Sequence, residues 1–492
     1  MQRTHCLTSG LTAAALLLAA CSTTPTAAPA SAADTLQRAE RAMGAAGLKT
    51  LRYTASGTGG IFGQAHQPGT AWPKVNVSNF ARLHDYDNAA LRQDQAISRA
   101  EPNGGGALPL MGQGEQRSVG MLMGAMAWNM VGPAPVASPV ALDQRMHDLW
   151  TSPHGIIKAA LQNNATVTTR NLGGQTLNAV SFTEPGRFSA TVFINNQNLV
   201  ARVESRLSHP VMGDTEVVTE YSDYKDYNGI KFPDRIEQSQ GGAMVLDLHV
   251  NEVQVNAPSG IAVPELVRVA QEKAVAEKAA EGVWFIGGGS HNSVAIEMKD
   301  HIMLVESPLY DARASAVLAE ARRVIPGKPV RYVVNSHHHF DHAGGLRTAV
   351  AEGATVVASA KAAPYYQRVL ANPNRINPDK LAKSSAALKV EAVDGKRVFS
   401  DAARTVELYL MGQSVHADGF IMVYLPAEKL LVQADAYTPL PPNTAPPAVP
   451  NANHLNLISH IESLRLSVER ILPLHGRMVP VAELYSTAGR KP

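Results

Sequence analysis

The sequence predicts an α/β chain built in two parts: a mainly antiparallel β domain with helices over residues 34–260, and a layered α/β domain over residues 283–492. Three observations predict it. At 492 residues the chain is too long for one ordinary core. Between Ala165 and Asn256, apolar and polar residues alternate along successive short runs, the period of half-buried strands. From Val283 onward, apolar strand-like runs alternate instead with amphipathic helical ones, as in a layered α/β domain.

In chain order, Asp34–Gly47 has helical apolar spacing and Leu51–Ser56 begins a strand pattern. The stretch to about Pro135 holds Gly-rich loops, Gly57–Gly69 and Gly104–Gly106. It also holds a Met-rich patch, Met121–Met130, which reads as core filling, with contact to lipid or an apolar ligand as the alternative. Ser152-Pro153 opens a helix through Leu161. Ser189–Ile194, Val200–Arg206, Thr215–Tyr224, Ile230–Ser239 and Met244–Val255 then read as strands. Asn195-Asn196 and Asn228-Gly229 fall where hairpin turns belong. This meander resembles, in pattern only, the periplasmic lipoprotein-carrier half-barrels. Pro264–Ala280 reads as a charged helix, which makes residues 261–282 a connector. Beyond it, Val283–Ile286, Ser293–Glu297, Ile302–Val305, Val330–Val334, Thr355–Ala358, Thr405–Leu410, Phe420–Leu425 and Lys429–Gln433 read as strands. Ala312–Val324, a segment from Gly344 and Asn456–Ile471 read as helices.

Residues 1–21 read as an export signal. Arg3 precedes a short apolar stretch, Leu11–Ala20, too brief for a permanent membrane span. Leu18-Ala19-Ala20-Cys21 resembles the bacterial lipoprotein processing box, which implies cleavage before Cys21 and a lipid on its thiol. Ser22, not aspartate, follows the cysteine, which favours a periplasm-facing outer-membrane location in the cell envelope. Residues 22–33 are a Ser/Thr/Pro/Ala tether. With Cys6 inside the signal and Cys21 capped, the mature chain keeps no free thiol, so any metal must be held by His, Asp and Glu. The formal net charge of +2, without a basic run, gives no case for nucleic acid.

The chemistry concentrates in His337-His338-His339-Phe340-Asp341-His342, directly after the apolar run Val330–Val334. Imidazole and carboxylate are ligands that Zn²⁺ prefers. His337 and His339, at alternate positions, can face one ion, and Asp341 with His342 begins a second grip beside it. Downstream stand His416 in Ser414-Val415-His416-Ala417-Asp418-Gly419, Asp435 after the run Leu430–Ala434, and His475 in Pro473-Leu474-His475-Gly476.

On these residues, in this order, the region from Val283 resembles the metallo-β-lactamase superfamily, an αββα sandwich with metals at one edge of its two sheets. The resemblance implies one ion held by His337, His339 and His416, a second held by Asp341, His342 and His475, and Asp435 bridging both. The implied cofactors are two Zn²⁺, with iron or manganese the other metals such ligands accept. His338 is expected to point away from the metals, and His291, Tyr437 and His454 are candidate substrate contacts. Many members carry aspartate after the strand equivalent to Ile302–Val305, where this chain has Glu306.

The implied function is a dinuclear zinc hydrolase. A metal-activated hydroxide would attack an ester, lactone, thioester or related bond of a small-molecule substrate, with Asp341 as the catalytic residue that orients it. β-Lactam-cleaving members usually have cysteine or serine at the position of Asp435. The aspartate therefore resembles the thioesterase, lactonase and phosphodiesterase branches, and β-lactamase-like amide hydrolysis is the alternative. From another class comes a membrane-tethered apolar-ligand-binding protein with the metal domain as scaffold. The sequence leaves the oligomeric state open.

Overall fold

The computed structural model describes residues 31–101 and 114–490. The expected export signal with Cys6 and Cys21, most of the tether, and the Gly104–Gly106 run lie outside the described residues. Ser31 caps the first helix, Ala32–Met43, by accepting from the Asp34 amide. Two tether positions are therefore helical, and Gly44, at φ +70, ends the helix.

Among the described residues, the N-terminal domain is one antiparallel sheet of 13 strands. Its first strand, Thr50–Gly60, lies in the middle, paired with Lys74–Asp85 on one side and with the last strand, Ala243–Val255, on the other. Gly57–Gly60, expected in a loop, thus extend this strand. The expected meander is present and gains two strands before it, Thr166–Leu172 and Gln175–Glu184. Helix Leu142–Trp150 packs against both Ala90–Arg99 and Val200–His209, strands six places apart in the sheet. A flat sheet would separate those by roughly 29 Å at about 4.8 Å per strand. The sheet therefore wraps round its helices, which fill its inner face with Leu36, Met43, Met146, Leu149, Ile156 and Ile157. The Met-rich patch is a hairpin, Gln116–Met123 with Met126–Val131, whose methionines pack on Leu83, Trp128, Ile261 and Val267. Core filling is what they do.

The expected connector helix is not formed. Only Glu265–Arg268 is helical, and Val275–Ala280 is a strand paired with Val283–Gly287. Gly282, at φ +67, makes the tight reversal that turns this Ala-rich stretch into a hairpin. The C-terminal sandwich follows. A 7-stranded sheet holds Ser293–Glu297, Ile302–Val305, Val330–Val334 and Thr355–Ser359 near its middle. A 6-stranded sheet holds Phe420–Leu425, Leu430–Gln433 and Arg470–Pro473. Alternating residues divide their faces: Val294, Ile296, Met303 and Val305 meet the second sheet, while Ala295, Ile302 and Leu304 pack under helices Asp311–Val324 and Leu346–Ala351. Helix Ala452–Ser463 ends earlier than its pattern suggested. Arg465, at φ +53, breaks it, and Arg470–Pro473 is a strand parallel to Leu430–Gln433.

The two domains share a core. The turn after the first strand, residues 61–73, carries Phe62 and Trp72 onto Phe340 of the metal-motif loop, at ring separations of 5.2 and 5.7 Å. His209, from another turn of the same domain, lies 4.7 Å from that ring. A second seam ties Asp214 to the amides of Arg375 and Ile376. A buried aromatic is worth several kcal/mol, so Trp72→Ala should cost about 3 kcal/mol and weaken the coupling of the domains. Calorimetry is expected to give one transition for the native chain and two for the variant. One unshifted transition in the variant contradicts the shared core.

Candidate metal centre

Every expected ligand sits in a strand connection at one edge of the sandwich, Asp341 and His342 on the short helix Phe340–Ala343. His337, His339, Asp341 and His342 follow Val330–Val334; Asp435 follows Leu430–Gln433; His475 follows Arg470–Pro473; His416 lies just before Phe420–Leu425. Backbone bonds clamp these loops together. Ile421 N donates to Ser336 O at 2.7 Å, and Asn292 N donates to Leu474 O at 2.8 Å.

Three ring nitrogens form a triangle: His337 Nε2 and His339 Nδ1 at 2.9 Å, His416 Nε2 at 3.2 and 3.0 Å from them. Beside it, His342 Nε2 and His475 Nε2 lie 3.2 Å apart. Asp341 Oδ2 is 3.5 Å from His342 Nε2 and 3.0 Å from His291 Nε2. Asp435 stands between the groups, with Oδ2 at 2.8 Å from His342 Nε2, 3.3 Å from His337 Nε2 and 3.4 Å from His416 Nε2. Its Oδ1 is 3.1 Å from His475 Nε2.

The outward nitrogens fix the tautomers. His342 Nδ1 donates to Glu306 Oε2 at 2.8 Å. Ser336 Oγ gives its proton to Glu306 Oε2 at 2.6 Å, so it accepts from His337 Nδ1 at 3.0 Å. His339 Nε2 donates to Ala65 O at 3.0 Å, and His475 Nδ1 to Ser290 O at 3.2 Å. A neutral imidazole that donates from one nitrogen presents a lone pair at the other. Three such lone pairs, of His337, His339 and His475, therefore point inward, where they cannot bond each other, while the inner nitrogen of His342 faces Asp435. Asp435 Oδ2, buried among them, has no hydrogen-bond partner. Converging lone pairs and an orphaned carboxylate oxygen are what a divalent cation satisfies, and these residues fall into groups that could hold one.

Burial, reinforced by the neighbouring imidazoles, holds His337 and His339 well below the ordinary histidine range, so both are neutral. Burial also works against a charged His342, but Asp435 and Asp341 outweigh it and raise that ring. Burial pushes Asp341 up, and the His342 ring with the His291 hydrogen bond overcomes this and keeps it ionised. Glu306 is fully buried and also accepts from Asn335 Nδ2 at 2.9 Å and Ser336 N at 3.1 Å.

The other named residues separate. His338 donates to Ala65 O at 2.8 Å and belongs to none of the ligand clusters. His291 joins the cluster of Asp341, His342 and His475, closer to the chemistry than a groove-lining residue. Tyr437 and His454 meet edge to face, with ring centroids 5.0 Å apart, and the Tyr437 hydroxyl faces Glu483. Two groups escaped the sequence reading. Gln64 Nε2 donates to Asp341 Oδ1 at 2.9 Å, and the Ala65 carbonyl serves both His338 and His339. Gln64 lies 277 positions from its partner, and only a Gly-rich turn marks it in the sequence.

Glu306→Gln keeps the volume but sets an amide donor against groups that already donate. Outer-shell partners of this kind govern metal affinity by about 10- to 100-fold. Zinc affinity measured by competition with a chromophoric chelator is expected to fall within that range. An unchanged affinity would show that the carboxylate does not orient the ligands.

Residues 286–467 match the family model described as Metallo-beta-lactamase superfamily. No curated protein matches the chain. Among solved structures, it is similar to a metallo-beta-lactamase from Pontibacter korlensis at 17% identity and TM-score 0.35, covering 44% of this chain and 98% of that one. It is also similar to the mono-zinc form of the metallo-beta-lactamase FIM-1 from Pseudomonas aeruginosa, at 18% identity and TM-score 0.34, covering 44% and 94%. The corresponding values for a metallo-beta-lactamase from Hirschia baltica are 19% and 0.33, covering 44% and 97%. The αββα sandwich that carries the ligand loops, in the stretch spanned by the family match, belongs to the metallo-β-lactamase superfamily.

Proposed function

We propose that this chain is a dinuclear zinc-dependent hydrolase of ester, lactone, thioester or related bonds. What carries the reading is the convergence of bare imidazole nitrogens and two carboxylates into adjoining clusters linked by Asp435. Bound zinc ions supply Lewis acidity toward the substrate oxygen and lower the pKa of water in the site.

The protein side of the reaction follows from the contacts. Asp341, ionised and part-buried, accepts from the attacking water and orients it toward the electrophilic carbon. As the bond to the leaving group breaks, the proton released by the water passes over Asp341 toward the departing oxygen or sulfur. His291 Nε2–H holds one carboxylate oxygen of Asp341 and Gln64 the other, so the carboxylate cannot rotate. Asp435, offering oxygens to both clusters, supports an all His and Asp cage in place of the cysteine or serine usual in β-lactam-cleaving enzymes. Amide hydrolysis of β-lactams is the weaker variant. The apolar-ligand-carrier reading gains nothing from the N-terminal sheet, whose inner face is filled by its own helices.

We also propose that the chain is exported, cut before Cys21 and lipidated there, so that it faces the periplasm from the outer membrane. In that setting no thiol competes for zinc.

Chelation of the purified chain is expected to abolish hydrolysis across a panel of lactones, thioesters, phosphodiesters and a chromogenic cephalosporin, and added zinc to restore it. Asp341→Asn should lower kcat by about a hundredfold or more, with a smaller change in KM. Full turnover by metal-free protein ends the proposal, and a cephalosporin rate matching the best lactone or thioester reverses the substrate order. Cys21→Ser should release the chain from the membrane fraction on cell lysis; continued sedimentation with membranes argues against the lipid anchor.

A further inference from the structure

The turn of residues 61–73 belongs to the N-terminal domain, yet it touches every loop that carries the triangle of histidines. Phe340 N donates to Gly63 O at 3.2 Å, and Asp418 N to His66 O at 2.7 Å. His66 Nε2 meets Ser414 O at 3.1 Å. The turn therefore bridges the 337–342 loop and the 414–418 loop, which approach from different sheets. Within it, the Ala65 carbonyl takes the outer proton of His339 and so turns Nδ1 of that ring inward. Gln64 takes Asp341 Oδ1 and leaves Oδ2 to face His342 and His291. Gly63 sits at φ +81 with its α-carbon against the Phe340 ring, so no side chain fits there.

We propose that this turn is a strap supplied by the N-terminal domain as a working part of the metal centre, and that Gln64 is a positioning residue for Asp341. The inference rests on the metallohydrolase reading and deepens it. The catalytic domain does not complete its own centre: one ligand tautomer and one carboxylate rotamer are set from a domain more than 270 positions away. The aromatic contacts of Phe62 and Trp72 with Phe340 hold the strap in place.

The full chain in detergent, stripped of metal and titrated with Co²⁺, reports each cluster by its visible absorption. Gln64→Met keeps the side-chain length and removes the donor. It should weaken Co²⁺ at the Asp341, His342 and His475 cluster about tenfold, lower kcat more than KM, and leave the melting curve unchanged. Gly63→Ala should lift the strap and weaken both clusters, while Gln67→Ala, an exposed position on the same turn, should titrate as the native chain does. If Gln64→Met and Gly63→Ala both bind Co²⁺ with native affinity, the strap is overturned and the hydrolase reading stands. A native chain that takes up no Co²⁺ sinks both.

Discussion

The centre depends on one buried carboxylate. Glu306 lies beneath the ligand loop with no access to water, and an unmatched charge there would cost several kcal/mol. Four donors match it: Asn335 Nδ2, the Ser336 amide, the Ser336 hydroxyl and His342 Nδ1. Because each must donate, each has its proton position decided. The hydroxyl of Ser336 then has only a lone pair for His337, which decides a second imidazole. One charge thus sets the tautomer of a ligand in each cluster. Glu306 holds a left-handed backbone, φ +71, at the sharp exit from its strand. Backbone strain of that kind persists where surrounding contacts over-determine it, and these contacts do.

From this hub the construction runs outward through both sheets. Asn335, itself held by the Tyr366 hydroxyl, ties the hub to the helix layer of the first sheet. Ser336 O and Leu474 O, through Ile421 N and Asn292 N, tie it to the second. The strap closes the remaining side from the other domain. A metal site at the edge of a sandwich is open by geometry, since sheet edges end there. Here the N-terminal β domain walls part of that opening and orders Asp341 and His339 while doing so.

How far the sequence exposed this follows from what is local. Strands with alternating or continuous apolar character were legible, and residue type and order sufficed to mark the His and Asp residues that the fold clusters. The connector was misread because Val275-Ala276-Glu277-Lys278-Ala279-Ala280 has helix-forming composition, whereas an open edge beside Val283–Gly287 and a Gly282 turn favoured a strand. Between Lys74 and Val131, the hairpin Gln116–Met123 with Met126–Val131 was obscured by its methionines, while Lys74–Asp85 and Ala90–Arg99, which also pair with their sequence neighbours, show only broken alternation. The strap had no chance of being read. A carbonyl and a glutamine in a Gly-rich turn have no signature, and their role exists only once two domains meet.

The charges at the centre argue for the kind of bond the proposed hydrolase attacks. Two divalent cations would bring four positive charges, and Asp341, Asp435 and Glu306 would answer with three negative ones, since a histidine must be neutral to hold a cation. Before a hydroxide binds, one positive charge would remain in a part-buried site where electrostatic interactions are strong. Negative charge developing on a substrate oxygen would be stabilised there more than in the ground state, which is the condition for rate acceleration. Carboxylic esters, lactones and thioesters start neutral and gain that charge only as the nucleophile arrives. Such neutral substrates would gain more from this centre, between ground state and transition state, than substrates that are already anionic.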